Sequence, residues 1–308
     1  MELSMANQLL GATELGLVYG LMVLGVYITF RILKIPDLTV DGSVVLGMSV
    51  TAVVTNHGFP ILALLLAALA GMAAGTVTGF LQTKLKIPPI LAGILTMSGL
   101  YSINLLIMNG SPNVSMLGTN TVFSMLINAT GVSKHAGNII VGALVCGLVV
   151  LVIELFFRTR LGLYIRATGD NEEMVRASSI DSNYMKWITL AIANGCVGLA
   201  GGLAAQYLHY SDITSGSGTI VIGFAAVIIG EAVCGKKSLT LGFIGTIIGS
   251  ILYRVFIALA LNTDFLPNYF LKFVTVVIIT IALAIGPVKE AIASSRKKAR
   301  RMKENADA

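Results

Sequence analysis

Asp37, Thr39, Asp41 and Ser43 stand at alternate positions in the run PDLTVDGS, Pro36–Ser43, between two apolar segments. Two carboxylates and two hydroxyls offer acceptors and donors but no nucleophile–base pair. The chemistry they suit is holding a polar solute or backbone amides. Pro36 disfavours helix at Ile35, and Gly42 permits a sharp bend. An unwound polar stretch between half-helices reads as part of a substrate path. It reads equally as a solvated loop with a Thr or Asp helix cap. In the first reading Asp41 is expected to accept local backbone amides, not to bind solute directly. Further along, Thr96, Tyr101 and Asn104 follow i, i+5, i+8 spacing and fall on one broad polar face of an apolar helix. The competing reading there is helix–helix hydrogen bonding.

The second patterned region is RTRLGLYIRATGDNEEMVRASSIDSNYMK, Arg158–Lys186. Asn171–Ile180 predicts a short helix. Asn171 caps it, Glu172 and Glu173 suit its positive N-terminus, and Arg176 sits in a later turn. Met174, Ala177 and Ser178 share one face at i, i+3, i+4 spacing. A short amphipathic helix with no domain of its own to pack on points to a partner protein, or to a helix lying on the bilayer surface.

Other chemistries find no support. The histidines His57, His135 and His209 fall in separate loops or at their edges, and a metal site would need three loops to converge. Cys146, Cys196 and Cys234 lie in or beside apolar stretches, without metal or disulfide spacing. There is no Walker A pattern G-x-x-x-x-G-K-[ST], so ATP hydrolysis is not expected on this chain. Glu154 and Arg158 form an i, i+4 pair, whereas Arg254, within a span, needs a partner or a wet cavity.

The elements that must position these residues are membrane spans. Of 308 residues, 56% are hydrophobic and 12% charged, and the mean hydropathy is +0.86. Soluble domains carry about 25% charged residues, so a soluble fold, a coiled coil and a disordered chain are excluded. The chain reads as an all-α polytopic membrane protein with eight to nine spans, some broken or re-entrant. The expected spans cover residues 11–30, 43–55, 61–83, 89–108, 138–157, 187–208, 219–234, 239–261 and 267–285. At ~1.5 Å per residue the second reaches only about 20 Å, short of the ~30 Å hydrocarbon core. Of the 21 Lys and Arg residues, all but Lys134, Arg254 and Lys272 fall on one side of this arrangement. The positive-inside rule then places the N-terminus (1–10) outside and the basic tail (289–308) in the cytoplasm, with 11–288 as the transmembrane domain. The net charge of +6 serves orientation, not nucleic-acid binding. Gly71, Gly75 and Gly79, and again Gly245 and Gly249, form small-residue ridges for close helix packing.

With the residues in place, a resemblance emerges. TRLGLYIRATGDNEEMVRASSI, Thr159–Ile180, and FAAVIIGEAVCGKKSLTLGFIGTIIGSIL, Phe224–Leu252, resemble the cytoplasmic loop and glycine-rich turn of permease subunits in bacterial ABC importers of the branched-chain amino acid and ribose type. PDLTVDGS with LAGILTMSGLYSINLLIM, Leu91–Met108, looks closest to the subgroup assigned to tryptophan and tyrosine import. The turn departs from the family's Gly-Gly pattern, since Glu231 follows Gly230. The resemblance implies a non-enzymatic transport subunit in the bacterial plasma membrane. Gly169, Asn171, Glu172, Glu173, Met174, Arg176 and Ile180 would form its coupling helix. ATP and Mg would reside on a separate cytosolic ATPase, leaving no cofactor or metal on this chain. An external substrate-binding (lipo)protein and a second permease chain would complete the assembly. The rival class is a self-sufficient secondary transporter or channel, which needs ion-coupling carboxylates at mid-membrane.

Overall fold

The computed structural model describes residues 2–235 and 238–261, together with 276, 277 and 280. The expected ninth span, the basic tail, Lys236, Lys237 and Lys272 lie outside these described residues. Eleven α-helices are described in order: α1 Glu2–Tyr27, α2 Val40–Asn56, α3 Pro60–Thr83, α4 Pro89–Ile107, α5 Val122–Thr130, α6 Lys134–Arg158, α7 Arg160–Asp170, α8 Glu172–Ala177, α9 Ser182–Leu208, α10 Thr219–Cys234 and α11 Leu239–Leu261. A π-helical turn, Ile28–Ile32, ends α1. Two short strands, β1 Asn113–Ser115 and β2 Tyr210–Asp212, pair antiparallel, with Val114 opposite Ser211.

Six of these helices are long and apolar enough to cross a membrane, and α2 and α10 are shorter apolar helices. The chain is thus a multi-pass, largely helical membrane protein. With 17 and 16 residues, α2 and α10 extend about 26 and 24 Å, less than the hydrocarbon thickness.

The core forms around α9, which is buried on most of its surface because α1, α2 and α3 all pack on it. The glycine ridge of α3 makes its contact with α9 possible. A Cβ at Gly71 would lie 2.2 Å from the Asn194 carbonyl, one at Gly75 2.1 Å from that of Leu190, and one at Gly79 2.3 Å from the Trp187 ring. The rising and falling numbers show that the two helices run antiparallel. The second ridge works likewise: a Cβ at Gly249 would lie 2.0 Å from the Ala226 carbonyl, which draws α11 onto α10. In lipid, where apolar contact with another helix gains little over contact with acyl chains, such close approach is a main source of association. α6 stands at the periphery. Its Leu144, Leu148, Leu151 and Leu155 are exposed, which suits a helix face against acyl chains.

The stretch 109–137, between the fourth and fifth expected spans, is ordered. Thr121 and Ser124 close a capping box at the start of α5, and the Val122 amide donates to Gln206 Oε1 at 2.9 Å. Together with the β-ribbon this fastens the α4–α6 connection over the end of α9. The opposite end of the bundle carries α7 and α8.

Candidate functional site

The polar run Asp37–Ser43 leads into α2. The chain leaves the π-turn through Lys34, whose φ of +58° is left-handed, and Pro36 keeps Ile35 out of the helical region. The expected bend at Gly42 is not there: Gly42 lies inside α2. Its missing Cβ instead admits α4, since a Cβ would stand 3.1 Å from the Met97 Cα.

Parallel packing on α9 sets the depth of α2. Ser43 Oγ donates to Asn194 Oδ1 at 2.7 Å, and Gln206 Nε2 reaches Thr55 Oγ1 at 3.4 Å. Asn194 lies about 18 Å along α9 from its first residue, Ser182. The N-terminus of α2 therefore sits near mid-depth of the bundle.

Two arrangements grow from this start. The first is a buried polar network. Asp37 Oδ1 accepts the Thr39 amide at 2.9 Å, and Oδ2 accepts Asn194 Nδ2 at 2.7 Å. Thr39 Oγ1 lies 2.7 Å from Thr78 Oγ1, which donates to Thr96 Oγ1 at 3.0 Å. Asp37, Thr39, Ser43 and Thr96 are all buried here. They join α2, α3, α4 and α9 and do not face open space. Asn194 and Thr78 were missed by the sequence reading; the available signal was a polar residue inside an otherwise apolar span.

The second arrangement is a clasp. Asp41 Oδ1 accepts the Ile220 amide and Thr219 Oγ1, each at 2.8 Å, and Oδ2 accepts the Gly218 amide at 3.0 Å. Asp41 thus does bind backbone amides, but not local ones. It caps α10, whose own N-cap residue, Gly218, supplies no side-chain cap. A carboxylate at a helix N-terminus meets both the free amides and the positive end of the dipole. Two half-helices consequently meet by their N-termini, joined by one side chain.

Beside the clasp opens a cavity of about 700 Å³. Asp41, Tyr101 and Asn104 line it, with Ser98, Met97 and the turn Ile213–Ser217. The seven pathway candidates therefore divide into four that knit helices together and three that border the cavity.

At the far end, Gly169 lies in α7, Asn171 joins the two helices, Glu172, Glu173, Met174 and Arg176 are on α8, and Ile180 lies beyond it, so the helix expected over Asn171–Ile180 stops at Ala177. Asn171 Oδ1 accepts the Met174 amide at 3.0 Å and caps α8, as the sequence predicts. Glu172 faces inward: its Oε1 accepts Arg176 Nη2 at 2.6 Å, Lys186 Nζ at 2.7 Å and Ser182 Oγ at 3.1 Å. Partial burial pushes the Glu172 pKa up, but the hydrogen bond and charge of Lys186, with Ser182 and Arg176, outweigh it and hold the carboxyl below its ordinary value. Val175, which the pattern did not single out, is the buried anchor. Glu173, Met174 and Ala177 are left exposed on the outer side, while Ile180 packs against the core. Gly169, near the end of α7, touches the lead-in to α2. A Cβ there would fall 1.9 Å from the Ile32 carbonyl, and Lys34 Nζ donates to the neighbouring Asp170 at 2.7 Å.

Other ionisable side chains pair as well. Glu231 of α10 meets Arg31 of the π-turn. Glu14 is held by His135 at 2.5 Å and Asn138 at 2.8 Å near the β-ribbon end. Glu154 accepts from Arg158 at 2.5 Å and from Thr240 at 2.9 Å. The Arg254 guanidinium lies 4.3 Å from the Tyr19 ring centroid, a cation–π contact. Among the described residues, no group of three or more His, Cys, Asp or Glu side chains is placed to hold a metal ion.

A membrane helical bundle in which two short helices meet by their N-termini beside an open cavity fits a membrane transport class of protein. The comparisons make this specific. The model of the family described as branched-chain amino acid transport system / permease component matches residues 8–283, and the chain belongs to that family. It is 36% identical over 271 residues to a tyrosine transport system permease protein of Clostridioides difficile, covering 88% of each chain. It is 29% identical to the ribose import permease protein of Escherichia coli over 82% of this chain and 78% of that protein. A fructose import permease protein of Bifidobacterium longum is 27% identical over 88% of this chain and 76% of that one. No solved structure matches.

Proposed function

We propose that this chain is the pathway-forming subunit of an ATP-driven importer, with an aromatic amino acid such as tyrosine or tryptophan as its solute. The observation that carries the mechanism is the contact of Gly169 and Asp170 with Ile32 and Lys34. It joins the candidate coupling elements to the strand of chain that leads into α2, and through Asp41 to α10 and the cavity. In this reading the exposed face of α8, with Glu173 and Met174, seats in a groove of a cytosolic ATPase. When the ATPase closes, α7 pushes on the lead-in, and α2 and α10 shift relative to each other. The cavity wall moves with them and the solute passes inward.

The α7/α8 end is cytoplasmic and the β-ribbon end external, where a substrate-binding protein delivers solute. A second permease chain completes the path, because Ser98 and Tyr101 of α4 are exposed beside the cavity, and polar surface at this depth is costly against lipid. The 36% identity to a tyrosine permease over most of both chains favours an aromatic amino acid over a sugar. The test is uptake into proteoliposomes holding the chain with its ATPase and binding protein. ATP-dependent accumulation of labelled tyrosine or tryptophan is expected. Accumulation without the ATPase, driven by an ion gradient, would establish the self-sufficient transporter instead.

A further inference from the structure

We propose that the cavity beside Asp41 is a binding site for a protonated amine, held between the Asp41 carboxylate and the Asn104 amide oxygen. The proposal rests on reading this cavity as part of the translocation path, and it names the group of the solute that the path recognises.

The cavity's volume, about 700 Å³, lies within the roughly 300–1,000 Å³ of small-molecule sites. Its polar wall sets the Asp41 carboxylate and the Asn104 amide among the hydroxyls of Ser98, Tyr101, Thr214 and Ser217, so its one formal charge is negative. A carboxylate offers about four acceptor positions. The Gly218 and Ile220 amides and the Thr219 hydroxyl occupy three of those of Asp41, leaving one on Oδ2. Asn104 is 1% exposed. Its Nδ2 donates to the Gly42 carbonyl at 3.4 Å, which fixes the orientation of the amide, and its Oδ1 has no partner. Asp41, Gly42 and Asn104 all line the cavity, with the Asn104 amide just beneath its wall.

Among the described residues that line the cavity there is no Lys, Arg or His. The α10 N-terminus meets the Asp41 carboxylate from one side, and no cationic side chain in the lining faces it from the cavity or stands ready for a carboxylate or phosphate group. An ammonium supplies what is missing: a positive charge and three donors, set against a free carboxylate position and a free amide oxygen. Met97, Tyr101 and Ile213 give the carbon skeleton an apolar and aromatic wall. A sugar, with neutral hydroxyls, leaves the charge unused.

The test uses the permease–ATPase complex in nanodiscs, without the binding protein, and equilibrium binding of radiolabelled tyramine, tyrosine, 3-(4-hydroxyphenyl)propionate and ribose. Tyramine and tyrosine are expected to bind, and the propionate and ribose at least about tenfold more weakly. Asn104→Leu should weaken tyramine about tenfold, and Asn104→Asp, which keeps the shape and adds charge, should tighten it. Co-elution with the ATPase checks the assembly of each variant, and the comparison of the four ligands on the parent complex keeps the test decisive should either variant fail to fold. Propionate or ribose binding equal to tyramine, no tyramine binding, or an Asn104→Asp variant indistinguishable from the parent would overturn the amine site. ATP-driven uptake is read separately. Uptake that persists while Asn104→Asp has no effect removes only the amine site; uptake that never requires the ATPase removes the importer reading.

Discussion

Asp37 and Asn194 show how a buried polar pair is kept satisfied. Asn194 serves Asp37, Ser43 and the Leu190 carbonyl at once. Replacing it with Ala strands the Asp37 carboxylate and the Ser43 hydroxyl in the interior, and each unmet buried group costs about 1–3 kcal/mol. Asn194→Ala should therefore lower the midpoint of thermal unfolding in detergent by several degrees, and Asn194→Asp, with a like charge beside Asp37, by more. An unchanged midpoint would show that water satisfies the site. Glu172 makes a pH prediction of opposite character. Its pKa in the fold is depressed below the ordinary 4.5, so the latch it forms is at full strength above that value. The latch is lost as pH falls through the depressed pKa. The protection of α8 amides, taken against their intrinsic exchange rate at each pH, should be constant above the ordinary carboxyl pKa and fall relative to α9 as pH drops through the depressed one. In Glu172→Gln the exchange of α8 should be faster at pH 7 and lose that dependence.

At the scale of elements, the packing of α3 on α9 and the junction of α2 with α10 matter most. The first depends on missing Cβ atoms. Gly75→Val drives a side chain into the Leu190 carbonyl, and overpacking of this kind costs about 1–3 kcal/mol or more. Gly147→Val is the control, because a Cβ at Gly147 meets nothing within 4 Å. The expected outcome is a lower unfolding midpoint and poor recovery for Gly75→Val, with Gly147→Val like the parent. The second junction predicts reactivity. Thr39 and Ser43 are fully buried, whereas Tyr101 is 54% exposed at the cavity. In a background without native cysteines, a cysteine at Tyr101 should react with a small aqueous thiol reagent in nucleotide-free complexes. Cysteines at Thr39 and Ser43 should stay protected in that state. Rapid labelling at Thr39 would place the buried network on the open path.

For the whole molecule, orientation is the consequence to check. The basic residues of the described loops gather at the α7/α8 end, where Arg160, Arg166, Arg176 and Lys186 lie, and Lys134 stands at the β-ribbon end. The positive-inside rule predicts that the first end is cytoplasmic. In a background lacking Cys146, Cys196 and Cys234, a cysteine at Leu117, which is 80% exposed, should be labelled by an impermeant reagent on intact cells. A cysteine at Glu173 should be labelled only after permeabilisation. The reverse pattern would invert the molecule and with it the direction of transport.

Although α1 begins well before its expected start and α8 ends short of Ile180, local sequence was enough for the membrane class, for the apolar helices α2, α3, α4, α6, α9, α10 and α11 to within a few residues, and for the cap at Asn171. These follow from local causes: the length of apolar runs, glycine spacing and side chains that bond to amides a few residues away. Pro36 also marks the chain ahead of Thr39 as non-helical, but Val40–Ser43, expected to be unwound, already belong to α2. What the tertiary structure alone decided is where those polar side chains point. Asp41 reaches amides of Gly218 and Ile220, and Asp37 reaches Asn194, across separations that no local pattern encodes. The expectation that Asp41 stays away from solute was likewise beyond the sequence to judge, because the cavity it borders is assembled from α2, α4 and the turn before α10. Gly42 carries the same lesson: the sequence offers a flexible residue, and only the approach of α4 shows that its missing side chain makes room for a neighbouring helix and not for a bend.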